Sequence, residues 1–225
     1  MKKYLLVISL LLPMMVMAQE EKKDTTIVIP QSEKSLLLTA ELSKYGYTNK
    51  DALSLIMAAR LSKLYGFVEE TREKEGGEAS APSAENEQEA GQISLDPQRL
   101  LADARVMAQD DGILLALIED VDNNVRGPFG PNGPCYAYGR VQGNSYDYYN
   151  MSFQANELAV VMVVGSGNTD LDLYIYDQNG NLIASDTGST DECICTWTPR
   201  WTGTFKVKII NRGGAANRYI IRSNQ

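Results

Sequence analysis

From Cys135 to the C-terminus the chain divides into short runs rich in β-branched, aromatic and aliphatic residues, separated by turn signals: 135–141, 146–153, 158–164, 171–176, 182–185, 192–198, 204–210 and 218–222. Runs of this length and spacing predict an antiparallel β-sandwich or barrel. Period-two alternation is clearest where Phe205, Val207 and Ile209 interleave with Lys206 and Lys208. It recurs where Leu171, Leu173 and Ile175 interleave with Asp172, Tyr174 and Tyr176. Each strand is therefore expected to give one face to a core and the other to solvent. Asn179-Gly180 predicts a type I′ hairpin, a turn that needs positive φ at both central residues. Asp177 to Asn181 is not read as a calcium loop, because its glycine comes two positions too early for an EF-hand.

The half before Cys135 has another composition, poor in aromatics and richer in Ala, Leu, Glu, Lys and Met, which favour helices. Residues 35–42 and 48–71 carry apolar residues at helical spacing, with Leu53, Ile56, Leu61 and Leu64 near one stripe. Thr48 is the expected N-cap, Asp51 takes the third helical position and Gly46 breaks the chain ahead of them. A second helix start at Asp96-Pro97 combines an acceptor cap with a first-turn proline and leads through Leu100, Leu101, Ala104 and Met107 to Leu115 and Ile118. These stripes read as core or helix-pairing faces, with docking of a partner as the alternative. Between them, residues 76–93 offer little to bury and predict a flexible acidic linker. Arg126-Gly-Pro-Phe-Gly-Pro-Asn-Gly-Pro134 suits neither helix nor sheet interior and marks a boundary. The predicted fold class is α+β built as separate parts. A signal peptide (1–18), a helical region (19–75), the linker (76–93), a helix (94–125) and the boundary (126–134) precede an all-β antiparallel sandwich (135–225).

Met1-Lys2-Lys3 is a short basic start, the run to Met17 is uncharged and mostly apolar, and Val16-Met17-Ala18 places small residues at positions −3 and −1. This predicts a secretory signal peptide cleaved before Gln19. The apolar run is shorter than the roughly 20 residues a membrane span needs and contains Pro13. No cysteine follows it to carry a lipid, and no later stretch is long and apolar enough to span. An exported protein, periplasmic or secreted, is expected.

The net charge of −8 repels nucleic acid, so no DNA or RNA partner is expected. The chain has no histidine. That removes Ser-His-Asp and Cys-His hydrolases and most zinc enzymes.

Several segments of the second half carry a family resemblance. Thr169-Asp-Leu-Asp-Leu-Tyr-Ile-Tyr-Asp177, the Asn179-Gly-Asn turn with Ser185 after it, Trp201-Thr-Gly-Thr-Phe-Lys-Val-Lys-Ile209 and Ala216-Asn-Arg-Tyr219 resemble the bacterial pre-peptidase C-terminal domain. That family's pattern is a D-x-D-L-Y strand, a hairpin, a G-T-Y/F strand and a closing Y-x-L strand. The resemblance covers about residues 130–225. It implies a jelly-roll-like sandwich, non-catalytic, usually appended to secreted proteases and acting in secretion, stability or substrate binding. Here no protease domain precedes it. Some members bind calcium through acids before the first strand and on a neighbouring loop. The corresponding regions here hold Asp122 and Asn124, and Asp170 and Asp172, oxygen ligands of the kind calcium takes. The competing reading is a solvated helix end and an ordinary loop.

Cys193 and Cys195 lie two apart on one strand face with Trp197, about 6.6 Å along the chain and too stretched for a comfortable bridge. Cys135 is expected to pair with one of them across the sheet, with an intermolecular or free thiol as the alternative. The expected function is a non-catalytic binding or scaffolding protein of the cell envelope or extracellular space, its partner a protein or glycan. Tyr136, Tyr138, Tyr174 and Tyr176 on outward faces form the expected contact surface. The alternative is a small carboxylate-dependent hydrolase using Asp170, Asp172 or Asp191.

Overall fold

The computed structural model describes residues 29–77, 91–125, 133–167 and 169–224. The expected signal peptide, most of the expected 76–93 linker and residues 126–132 of the expected boundary lie outside the described residues. Four helices, α1 (Gln31–Asn49), α2 (Ala52–Tyr65), α3 (Pro97–Ala108) and α4 (Gly112–Asn124), lie on the N-terminal side of the β-sandwich. Its strands are β3 (Cys135–Val141), β4 (Tyr146–Phe153), β5 (Ala159–Gly165), β6 (Leu171–Tyr176), β7 (Leu182–Asp186), β8 (Glu192–Trp197), β9 (Gly203–Asn211) and β10 (Asn217–Ser223). Two short strands, β1 (Val68–Glu69) and β2 (Gly76–Gly77), precede them.

The first sheet has the order β1-β3-β10-β5-β8 and the second β2-β4-β9-β6-β7. Without β1 and β2 this is the jelly-roll interleaving of two four-stranded sheets, with every strand pair antiparallel. Alternate residues of both sheets meet inside. Tyr149, Met151 and Phe153 of β4, Leu171, Leu173 and Ile175 of β6 and Phe205, Val207 and Ile209 of β9 pack against Val161, Val163, Tyr219 and Ile221.

The two sheets differ in their outer faces. The second sheet alternates as expected, but all seven residues of β5, Ala-Val-Val-Met-Val-Val-Gly, are buried. The cause is a second core in which Leu36 and Ala40 of α1, with Phe67, Ile93 and Leu95, cover Tyr136, Met162, Val164 and Ile220. A strand covered on both sides reads as a continuous apolar run, not an alternating one. The outer face of the first sheet is thus an interface and not a solvent face.

Gly46 does not break the first helix: α1 runs through it. A β-carbon there would stand 2.5 Å from a δ-carbon of Leu55, so the glycine permits close approach of α1 and α2. The N-cap of α2 is Asp51, not Thr48; its carboxylate accepts the Ser54 N–H. The buried face of α2 is built from Ala52, Leu55, Ile56, Ala58, Ala59 and Ser62, while Leu53 and Leu64 are exposed. Small residues carry that face because α1 and α3 approach closely on either side. The Asp96 cap and Pro97 start α3 as predicted. The chain then turns at Gln109, which has a φ of 48°, and Asp111 caps a separate α4 by accepting the Ile113 and Leu114 N–H groups.

Helix α2 ends at Gly66, whose left-handed φ of 62° suits glycine. Beyond it the chain is extended, where a helix to residue 71 was expected. β1 adds in parallel to β3, and β2 adds antiparallel to β4. Residues 66–77 therefore strap the edge of one sheet to the edge of the other. Under the strap, Lys74 pairs with the buried Asp147 at 2.6 Å, and Asp147 accepts the Tyr219 hydroxyl at 2.6 Å. The predicted hairpin joins β6 to β7, but only Gly180 has positive φ there. Its N–H donates to the Asp177 carbonyl, giving a wider turn than type I′. Among the described residues no helix is long and apolar enough to cross a membrane.

Candidate functional site

The outer face of the second sheet is the broad sheet face that the helices leave open. Strict alternation sends Tyr146, Tyr148, Asn150 and Ser152 of β4, Asp172, Tyr174 and Tyr176 of β6, and Thr204, Lys206, Lys208 and Ile210 of β9 outward, opposite the core residues between them. Pairing register aligns them in rows across the strands. One row is Tyr148, Lys208, Tyr174; the next is Asn150, Lys206, Tyr176. Tyrosines on two strands thus flank two lysines on the strand between.

The rings order the lysines. The Lys208 ammonium stands 4.4 Å from the Tyr146 ring centroid and 5.4 Å from that of Tyr148, and Lys206 stands 4.9 Å from Tyr148. These are cation–π distances. Tyr146 and Tyr148 meet edge to face at 5.1 Å, whereas Tyr174 and Tyr176 are nearly parallel, 17° apart with centroids at 6.3 Å. One end of the face is closed by Arg212, which donates to Asp172 at 2.6 Å and to the Tyr174 hydroxyl at 3.1 Å. The other end opens into a concavity of about 430 Å³ lined by Tyr148, Asn150, Tyr176, Gln178, Thr204 and Lys206, beside the hairpin. Asp177 lies there too. Its carboxylate accepts the side-chain amide of Asn181 and the N–H groups of Asn179 and Asn181, which hold it below the usual carboxylate range.

Of the four tyrosines expected to form the contact surface, Tyr174 and Tyr176 lie on this face. Tyr136 and Tyr138 do not. Tyr136 is 2% exposed beneath α1, and the Tyr138 hydroxyl accepts the Leu95 N–H at 2.8 Å, so both belong to the covered side of the first sheet. Tyr146, Tyr148, Lys206 and Lys208 were not singled out from sequence. Their signal was Tyr-x-Tyr and Lys-x-Lys, each in phase with Tyr174-x-Tyr176 on an alternating strand.

The four residues considered for calcium are not brought together. Asp122, near the end of α4, contacts Lys63 at 3.2 Å and Gln98 at 3.1 Å, and Asn124 donates to Asp120 at 2.8 Å. Asp172 is paired with Arg212 on β6, and among the described residues no group of three or more Cys, Asp or Glu is placed to hold a metal. Of the acids considered for hydrolysis, Asp172 and Asp191 are tied into the fold by ion pairs, whereas one buried carboxylate oxygen of Asp170 has no hydrogen-bond partner among the described residues. Asp191 pairs with Lys44 of α1 and accepts the Gly167 N–H, while Asp170 is pushed up by its surroundings and by the Asp172 charge.

Cys135, Cys193 and Cys195 are free thiols, contrary to the expected bridge. β10 and β5 lie between β3 and β8, so Cys135 stands three strand spacings, roughly 14 Å, from the pair. A disulfide needs Cα atoms within about 7 Å. Cys193 instead donates to the Leu171 carbonyl at 3.0 Å. Burial pushes both β8 thiols up, Cys195 to about 12, which suppresses the reactive thiolate. Peptide mapping without reduction is expected to find no link from Cys135 to either residue. Native-state thiol titration should label Cys135 first and the β8 pair only on unfolding; rapid labelling of Cys193 or Cys195 would contradict the buried arrangement.

No protein-family model and no curated protein matches the sequence. Among solved structures, the chain is similar to the pre-peptidase C-terminal domain of a collagenase from Bacillus anthracis, at 12% identity and a TM-score of 0.33 over 40% of this chain and 89% of that one. It is also similar to PliG of Aeromonas hydrophila, a periplasmic inhibitor of g-type lysozyme, at 10% identity and a TM-score of 0.31 over 40% of this chain and 84% of that one. A carbohydrate-binding module from Cellvibrio mixtus lichenase 5A, determined with cellotriose, is similar at 13% identity and a TM-score of 0.26 over 38% of this chain and 73% of that one.

Proposed function

We propose that the protein is an exported, non-catalytic binding module of the cell envelope or extracellular space, and that its ligand surface is the outer face of the second sheet. The observation that carries this reading is the row of tyrosines and lysines on a sheet face that no described element covers. Four half-exposed rings offer apolar area at low conformational cost, and their hydroxyls add polar contacts at the rim. The N-terminal sequence, with its basic start, short apolar run and small residues before Gln19, supports export. The helices support the sandwich by covering its other face.

The mature chain is expected to co-sediment with the insoluble envelope fraction of the exporting cell. Tyr174→Ala with Tyr176→Ala should weaken retention at least tenfold while leaving the unfolding transition cooperative, because both side chains are half-exposed. No retention of the wild-type chain, or equal retention of the double variant, would overturn the reading.

A further inference from the structure

Resting on that reading, we infer that the ligand of this face is an acidic polysaccharide whose sugar rings carry carboxylates. Lys206 and Lys208 form no ion pair with an acid among the described residues, whereas the acids at the border of the face are engaged, Asp172 by Arg212, Asp177 by the hairpin turn and Glu75 by the side-chain amide of Asn150. On a chain of net charge −8, this is a local cationic strip held in place by aromatic rings. A neutral glycan bound here would strip water from two ammonium groups without supplying a counter-charge, which is costly.

The arrangement across the strands points the same way. Tyr148, Lys208 and Tyr174 follow one another at the strand spacing of about 4.8 Å, as do Asn150, Lys206 and Tyr176 in the next row. A ligand laid across β4, β9 and β6 therefore meets an aromatic or amide group, then a cation, then an aromatic ring, within about 10 Å. A polymer of uronic acids offers both complements in each repeat: an apolar C–H ring face for a tyrosine and a carboxylate for a lysine. Its hydroxyls have partners in Gln178, Thr204 and the amide oxygen of Asn150, which line the concavity at the end of the rows.

The test compares the mature full-length chain binding polygalacturonate, the same polymer fully methyl-esterified, and polyglutamate, by affinity electrophoresis and calorimetry at low and moderate salt. Polygalacturonate is expected to bind at least tenfold more tightly than its ester and than polyglutamate, and to weaken as salt rises. Lys206→Gln with Lys208→Gln should reduce the acid form to the level of the ester, and Tyr174→Ala with Tyr176→Ala should weaken both. Equal binding of ester and acid would overturn the assignment of the lysines while leaving a glycan-binding face intact. Equal binding of polyglutamate would reduce the interaction to charge and overturn the polysaccharide. Binding of none of the three, with tyrosine-dependent retention on the envelope fraction preserved, would overturn this inference and spare the binding surface itself.

Discussion

Glu33→Ala is expected to lower the melting temperature by about 10 °C. Glu33 sits in the first turn of α1 and is 1% exposed; Arg222 points outward from β10 and is 7% exposed beneath the helix. The guanidinium donates through Nε at 3.1 Å and Nη2 at 2.8 Å to one carboxylate oxygen of Glu33, and Nη1 donates to the Cys135 carbonyl at 2.9 Å. The second carboxylate oxygen accepts the Ser32 hydroxyl at 2.6 Å. Removing one partner strands a buried charge, which costs about 3–5 kcal/mol. In a chain of this size each kcal/mol corresponds to roughly 2–4 °C. Glu33→Leu with Arg222→Met, which replaces the pair by apolar side chains of similar volume, should recover most of the loss. The check is thermal unfolding followed by circular dichroism of the three variants. A shift below about 2 °C for Glu33→Ala would mean that α1 is not docked on the sheet in solution.

That ion pair also marks where sequence reasoning reached its limit. The strands were legible because turn residues punctuate them, and on the second sheet one face is wet, so Phe205-Lys206-Val207-Lys208-Ile209 alternates visibly. Once α1 covers the first sheet, polarity no longer distinguishes its two sides. Ala159–Gly165 has no alternation to read. Tyr136 and Tyr138 carry the same local pattern as Tyr174 and Tyr176, yet one pair lies beneath a helix and the other lies open. Tertiary cover decides between them, and no window of neighbouring residues encodes it.

Cysteine pairing failed for a related reason. Cys135 and the β8 thiols do share a sheet, but strand order is set by the jelly-roll connection, which inserts β10 and β5 between them. Gly46 was misread through its intrinsic propensity. A glycine inside a helix is a poor helix former, but here its missing side chain makes room for Leu55. The candidate site was half legible: two tyrosines were named from alternation. The lysines and the second tyrosine pair needed the register that places β9 between β4 and β6.

Stability is expected to fall steeply above about pH 10, the unperturbed tyrosine pKa, by about 1.4 kcal/mol per pH unit for each buried tyrosine that keeps its proton in the folded state. Four tyrosines qualify. Burial and then the Asp103 carboxylate, which accepts its hydroxyl at 2.7 Å, raise Tyr47 far above its ordinary value. Burial pushes the Tyr149 hydroxyl up to about 12, and burial also raises Tyr136 far above its ordinary value. Tyr219 is raised well above 10 by burial and then by Tyr149 and Asp147, whose carboxylate accepts its hydroxyl. As pH climbs through 10 the unfolded chain releases these protons while the folded chain holds them, so the unfolded state binds fewer protons and gains ground. The contribution is fully present below the unfolded pKa and is lost as pH rises toward the folded values. Unfolding free energies from urea titration at several values between about pH 9 and pH 11 should therefore decline with a slope of about 5 kcal/mol per unit at the upper end. In Tyr219→Phe the slope should be shallower by about 1.4 kcal/mol per unit, and the Lys74–Asp147 pair should survive, since Lys74 contacts Asp147 directly and the variant keeps the ring over which its ammonium stands at 5.9 Å. A flat profile across that range, or ionisation of all tyrosines in the native state at their ordinary pKa, would contradict the buried network that joins the strap, β4 and β10.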